Sequence, residues 1–117
     1  MKVLVIDDEA LVRRSLVKVF QHLGHDCYEA EDGIAGMQKW LEIEPDLVLL
    51  DVLMPKMSGP EVLTHMNQKL PTKVVLMSAY TGEHNNKTAE QMGAQLFIAK
   101  PFDNIFDIAR ITLELVK

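Results

Sequence analysis

Five times along this chain a short apolar run gives way to a stretch with helical spacing, and four of the five runs end against an acid, a serine or a lysine. Val3 to Ile6 ends at Asp7, Leu47 to Leu50 at Asp51, Val74 to Met77 at Ser78, and Leu96 to Ala99 at Lys100. Residues 26–30 form a weaker run. Runs that are apolar throughout predict strands buried on both faces, as in a parallel sheet. Between them Val12, Leu16, Val19, Phe20 and Leu23 predict a first helix stopped by Gly24, and Ile34, Met37 and Leu41 a second closed by Pro45. Val62, Leu63 and Met66 predict a third, capped either by Ser58 with Glu61 reaching back or by Gly59 with Pro60 in the first turn. Residues 83–92 give a poor fourth helix, and Ile105, Ile108, Ala109, Thr112, Leu115 and Val116 a final one starting near Asp103. Such alternation implies an α/β fold, a doubly wound (βα)5 parallel sheet with helices on both faces and right-handed crossovers.

With 117 residues the expectation is one domain over 1–117 with a single core, and no repeat, linker or low-complexity segment interrupts it. A net charge of −5 gives the domain no electrostatic case for holding nucleic acid. One cysteine, Cys27, excludes an internal disulfide and a cysteine-based zinc site. The opening apolar run is too short for a signal peptide's core, and no stretch approaches a membrane span. A cytosolic location with no membrane contact is expected.

The polar residues at the strand ends carry the functional argument. In a parallel sheet Asp7, Asp8, Asp51, Ser78 and Lys100 fall at one edge, and doubly wound sheets bind ligands outside the carboxyl ends of their strands. Read singly, each has a plain explanation: Asp7, Asp8 and Glu9 favour a helix N-terminus, and Lys100-Pro101 makes a turn. Their convergence changes the reading. Two carboxylates about 4 Å apart repel by roughly 4 kcal/mol at an effective dielectric near 20, so three need a cation or a proton. Oxygen-only ligands that must also admit a phosphoryl oxygen suit Mg²⁺, with Mn²⁺ as a substitute. A carboxylate between a divalent ion and the Lys100 ammonium suits phosphoryl transfer, and the Ser78 hydroxyl can donate to the group once it has arrived.

The segments Val5-Ile6-Asp7-Asp8-Glu9, Leu49-Leu50-Asp51-Val52 with Pro55, Met57 and Gly59, Met77-Ser78-Ala79, and Ala99-Lys100-Pro101-Phe102 stand in order along the whole chain. Together they resemble the CheY-like receiver domain of bacterial response regulators. That resemblance implies the flavodoxin-like strand order 2-1-3-4-5 and a role for each residue. Asp51 is the implied phosphoacceptor, with Mg²⁺ held by Asp7, Asp8, Asp51 and the Leu53 backbone carbonyl. Ser78, Ala79 and Lys100 contact the phosphoryl group, Lys100 precedes a cis-proline at Pro101, and Ser78 and Phe97 form a switch pair. Phe97 stands where tyrosine is also frequent, so its switching is expected to act through packing alone. Tyr80, two residues past Ser78, is expected with Pro101 to modulate the pocket, while His22, His25, His65 and His84 read as solvated surface, a place for His84 at the pocket rim being the lesser alternative.

The implied partners are a sensor histidine kinase or histidine phosphotransfer protein upstream and an effector protein or domain downstream. Pairing of two copies after phosphorylation is also expected. The expected output face joins the fourth helix, fifth strand and fifth helix, with Phe106 and Leu113 as an apolar patch. Two rival readings are an aspartyl phosphohydrolase and a docking module that works without phosphorylation. The first needs a proton donor two residues after Asp51, where Leu53 has none; the second leaves the acid, serine and lysine set unused. A nucleotide or flavin carrier is disfavoured by the acidic, glycine-free first turn.

Overall fold

The computed structural model describes residues 1–66, 72–79, 86–102 and 104–116. The strands are β1 Lys2–Ile6, β2 Asp26–Ala30, β3 Leu47–Asp51, β4 Lys73–Ser78 and β5 Leu96–Ala99. The helices are α1 Ala10–His22, α2 Gly33–Ile43, α3 Gly59–Met66, α4 Asn86–Gln91 and α5 Ile105–Leu113, with a 3-10 turn at Glu114–Val116. All four strand pairings are parallel, in the order β2-β1-β3-β4-β5. This is the expected doubly wound sheet and strand order.

Side chains alternate across the sheet, so each central strand feeds two cores. Val3, Val5, Leu47, Leu49, Val75 and Met77 pack with Leu16 and Phe20 of α1 and Ile108 and Ala109 of α5. Leu4, Ile6, Val48, Leu50, Val74 and Leu76 face the other way, onto Trp40 of α2, Val62 and Leu63 of α3 and Ala89 of α4. Full burial of each such side chain contributes about 1.5–3 kcal/mol, which explains why these strands carry no polar residue between their first position and their last. The edge strands β2 and β5 are only partly covered.

Local signals set the helix ends. Gly24 takes φ 90° and its N–H donates to the Gln21 carbonyl at 3.0 Å, closing α1 as expected. Before α3 the Glu61 N–H donates to Ser58 Oγ and the Ser58 N–H to Glu61 Oε1, both at 3.3 Å. Of the two readings for that helix start, the Ser58 capping box forms. Asp103 lies outside the described residues; α5 begins at Ile105, where the Asn104 side chain accepts from the Phe106 N–H at 2.9 Å.

Two expectations change. Ile34 and Leu41 are exposed, and α2 instead buries Gly33, Gly36, Trp40 and Ile43. The helix lies so close to β1 that a Cβ at Gly36 would stand 2.7 Å from Ile6 Cδ1, so its inner face needs glycine with Trp40 filling the space beyond. In α5, Phe106 is exposed but Leu113 packs against the core beside α1, so the two do not make one surface patch.

Candidate functional site

Parallel strands deliver their carboxyl ends to one edge, and the order reverses between β1 and β3 because β2 lies outside β1. Asp7 follows β1 there, Asp51 ends β3, Ser78 ends β4 and Lys100 follows β5. Asp7, Asp8 and Asp51 each bring a carboxylate oxygen within 4.8 Å of the others. Lys100 Nζ, 93 residues from Asp7 in sequence, donates to Asp7 Oδ2 at 2.7 Å and to Glu9 Oε1 at 2.9 Å. It stands 3.5 Å from Asp51 Oδ2. A cavity of about 270 Å³ opens onto this group, lined by Asp8, Glu9, Asp51, Leu53, Ser78, Ala79 and Lys100.

Backbone contacts hold the loops in place. The Asp7 N–H donates to the Ala30 carbonyl at 3.1 Å, and the Lys100 N–H to the Ser78 carbonyl at 2.9 Å. The Gly59 N–H donates to the Val52 carbonyl at 2.9 Å. A side chain at Gly59 would collide with the Asp51 carbonyl oxygen, so only glycine lets α3 start this close to β3. The Lys100–Pro101 peptide is cis, as the resemblance implies.

Asp7 is fully buried and Asp51 is 4% exposed, so their charges are poorly hydrated. Burial first, then the Asp7 charge, push the Asp51 carboxyl up to about 8; Lys100 pulls it down, and Asp8 raises it again. For Lys100, burial alone lowers the pKa. Its bonds to Asp7 and Glu9 and the charges of Asp51 and Asp7 outweigh that, and the net shift is upward. A cluster that retains a proton so far above the carboxylate range is short of positive charge. Its donors are all hard oxygens, so the site fits a divalent ion such as Mg²⁺.

Comparison with known proteins sets this geometry in a family. The family model described as "Response regulator receiver domain" matches residues 3–111. The chain belongs to the response regulator receiver domains. As a receiver domain it is 36% identical over 120 residues to a protein-glutamate methylesterase/protein-glutamine glutaminase of Archaeoglobus fulgidus, a match over 100% of this chain and 34% of that protein. It is 37% identical over 101 residues to the transcriptional regulatory protein ResD of Bacillus subtilis, covering 86% of this chain and 42% of ResD. Among solved structures, chemotaxis protein CheY4 of Vibrio cholerae superposes with a TM-score of 0.86 at 27% identity, over 99% of this chain and 98% of that one. The chain thus spans about a third of the first curated relatives' length, 34% and 32% for two methylesterase/glutaminases. Mg²⁺ at an acidic pocket is the family's habit, and the aspartate cluster here is such a pocket.

The fold of this receiver domain brings together Asp7, Asp8, Asp51, Leu53, Ser78, Ala79 and Lys100, all singled out in the sequence. Pro101 lines a neighbouring groove of about 400 Å³ with Lys100, Leu11 and Phe102. Phe97 lies inside β5, partly buried against the core beneath α4, and does not line the cavity. Tyr80 and His84 lie outside the described residues. Sequence reasoning missed Glu9 as a Lys100 partner, because a helix-start acid already had a sufficient role. It also missed Arg13, whose guanidinium is buried against the Asp7 carbonyl. The one sequence signal for Glu9 is its place directly after the Asp7-Asp8 pair.

Proposed function

We propose that this receiver domain, acting as one unit over residues 1–117, takes a phosphoryl group onto Asp51 from the phosphohistidine of a sensor kinase or phosphotransfer protein. The observation that carries the reading is the placement of Lys100 Nζ 2.7 Å from Asp7 and 3.5 Å from Asp51, across an acid trio whose oxygens lie within 4.8 Å of one another. Asp51 Oδ attacks phosphorus, the P–N bond breaks, and the imidazole leaves with the electron pair. Lys100 exchanges its carboxylate partners for a phosphoryl oxygen, and Ser78 and the Ala79 backbone donate to the others. Asp7, Asp8, Asp51 and the Leu53 carbonyl would hold Mg²⁺, or Mn²⁺ in its place. When bound, that ion supplies positive charge to the equatorial oxygens. Pro101, which lines the groove beside Lys100, and Tyr80, by its place two residues after Ser78 in the sequence, are assigned the role of governing water's access to the phosphoryl group.

The added charge is close to two units, and it changes shape only if two packings satisfy it unequally. Ser78 drawn toward the phosphoryl group leaves space into which Phe97 turns, shifting the surface of α4, β5 and α5. A partner or effector reads that shift, and two phosphorylated copies can pair through it. The domain catalyses its own loading and slow unloading and turns over no other substrate. Leu53 supports this, since it gives the rim no proton donor for an incoming ester. A cytoplasmic protein that contacts neither nucleic acid nor membrane through this domain fits the net charge of −5. It also fits helices none of which, among the described residues, is long and apolar enough to cross a membrane.

The test is intact-mass spectrometry after incubation with a small phosphodonor, with and without Mg²⁺. Wild type with Mg²⁺ should gain one phosphoryl group, and Asp51→Asn none. A wild-type chain that stays unmodified with every donor and cation, or an Asp51→Asn chain that gains the same mass, refutes the assignment.

A further inference from the structure

We propose that Arg13 is a positioning residue for the acidic site: it fixes the turn carrying Asp7 and Asp8 so that the pair can take a divalent cation, an inference that rests on the metal-site reading above. Among the described residues Arg13 is the only arginine or lysine buried as a whole residue. Its side chain is 8% exposed. A guanidinium in such a place is costly unless its N–H groups find good partners. Arg13 has two, on different elements. Nη1 donates to the Asp7 backbone carbonyl at 2.9 Å, and Nε to Glu29 Oε1 on β2 at 2.7 Å.

Helix packing alone does not require this. α1 already buries Leu16, Val17, Val19 and Phe20, and an apolar residue at position 13 would cover the same surface without a charge to desolvate. What the guanidinium adds is a fork between two fixed points. With it, both backbone polar groups of Asp7 are tied: the N–H to Ala30 and the carbonyl, through Arg13, to Glu29. The Asp7 side chain is aimed as well, Oδ1 accepting from the Glu9 N–H at 2.9 Å and Oδ2 from Lys100. Asp8 is exposed, and its carboxylate depends on the frame of the residue before it. Arg13 therefore stands behind the ligands as outer partners stand behind metal-binding side chains, where substitution typically weakens metal affinity by about 10–100-fold.

The sign of the effect separates positioning from charge. Removing a cation beside three carboxylates should, by Coulomb's law, tighten a divalent ion. Loss of the frame should weaken it.

The experiment is calorimetric titration of Mg²⁺ into the full chain at fixed pH, for wild type, Arg13→Gln, Arg13→Lys, Glu29→Gln and Arg14→Gln, with a thermal melt of each. Arg13→Gln is expected to bind Mg²⁺ about 10–100-fold more weakly, Arg13→Lys and Glu29→Gln to fall between it and wild type, and exposed Arg14→Gln to match wild type within about twofold. Phosphorylation of the Arg13 variants by a small phosphodonor at saturating Mg²⁺ should recover toward the wild-type rate, which a general loosening of the fold would not allow. If Arg13→Gln gives no cooperative melt, Arg13→Lys, which keeps the charge and loses the fork, decides. A folded Arg13 variant that binds Mg²⁺ as tightly as wild type, or more tightly, overturns the inference. So does an Arg14→Gln loss as large as that at position 13. Wild type that binds no Mg²⁺ would instead remove the metal-site reading itself.

Discussion

Asp51 is held in a state that folding alone does not favour. Its carboxyl is pushed to about 8 by burial and by Asp7, whereas an unfolded chain releases that proton near 3.8. Between those values the native state carries more protons than the unfolded one, so stability falls as pH rises through the window and levels off above it. In the absence of divalent ions Asp51→Asn should therefore match wild type near pH 4 and exceed it increasingly up to pH 8. The gain there should be on the order of several kcal/mol, since each pH unit between the two values adds up to about 1.4 kcal/mol and the attraction of Lys100 is already contained in the native value. Urea midpoints at three pH values check this, and a constant offset across them would show that Asp51 is not the titrating group. The residues that create this tension were the legible ones. Asp7, Asp51, Ser78 and Lys100 each end an apolar run, and the parallel geometry that such runs impose brings their ends together. Arg13 was illegible because one basic residue in a helix looks the same whether it faces water or a backbone carbonyl. Glu9 was hidden by a second sufficient explanation, its place at a helix start.

Helix ends follow their local chemistry closely, and two of them offer a measurable contrast. Asp32 caps α2, its Oδ1 accepting from the Ala35 N–H at 2.8 Å. That bond, with help from nearby Lys56, holds its carboxyl below the ordinary 3.8. Asp32→Ala should cost about 1 kcal/mol in urea unfolding. The loss is fully present above the ordinary carboxyl range and vanishes only as pH drops through the lower native value. At the other end of α2, Glu44 takes φ 48°, a left-handed conformation that strains any side chain with a Cβ. Glu44→Gly should relieve it and raise stability by about 0.5–1 kcal/mol, read as an upward shift of the melting temperature. The helices' existence was readable from spacing, but the buried face of α2 was not. Gly33 and Gly36 carry no hydrophobic side chain, so a pattern built on hydropathy chose Ile34 and Leu41 and pointed the helix the wrong way.

Across the molecule, stability is expected to be graded from the centre outward. β3 is buried along its whole length, β1 along four of its five residues, and the two pair directly. α4 has only six residues. Native-state hydrogen exchange should find the β1 and β3 amides opening only with global unfolding and the α4 amides opening at much lower free energy. Equal protection in both would contradict α4 as part of a surface that shifts when the site is loaded. The sheet that grades stability also divides the chemistry along the chain. A cut after Met66 leaves Asp7, Asp8 and Asp51 on one fragment, and Ser78 and Lys100 on the other. Neither piece holds both the acceptor and its counter-charge. Mixed together they would regain phosphodonor reactivity only by rejoining β4 to β3, so the acid itself would serve as a chemical reporter of that reunion.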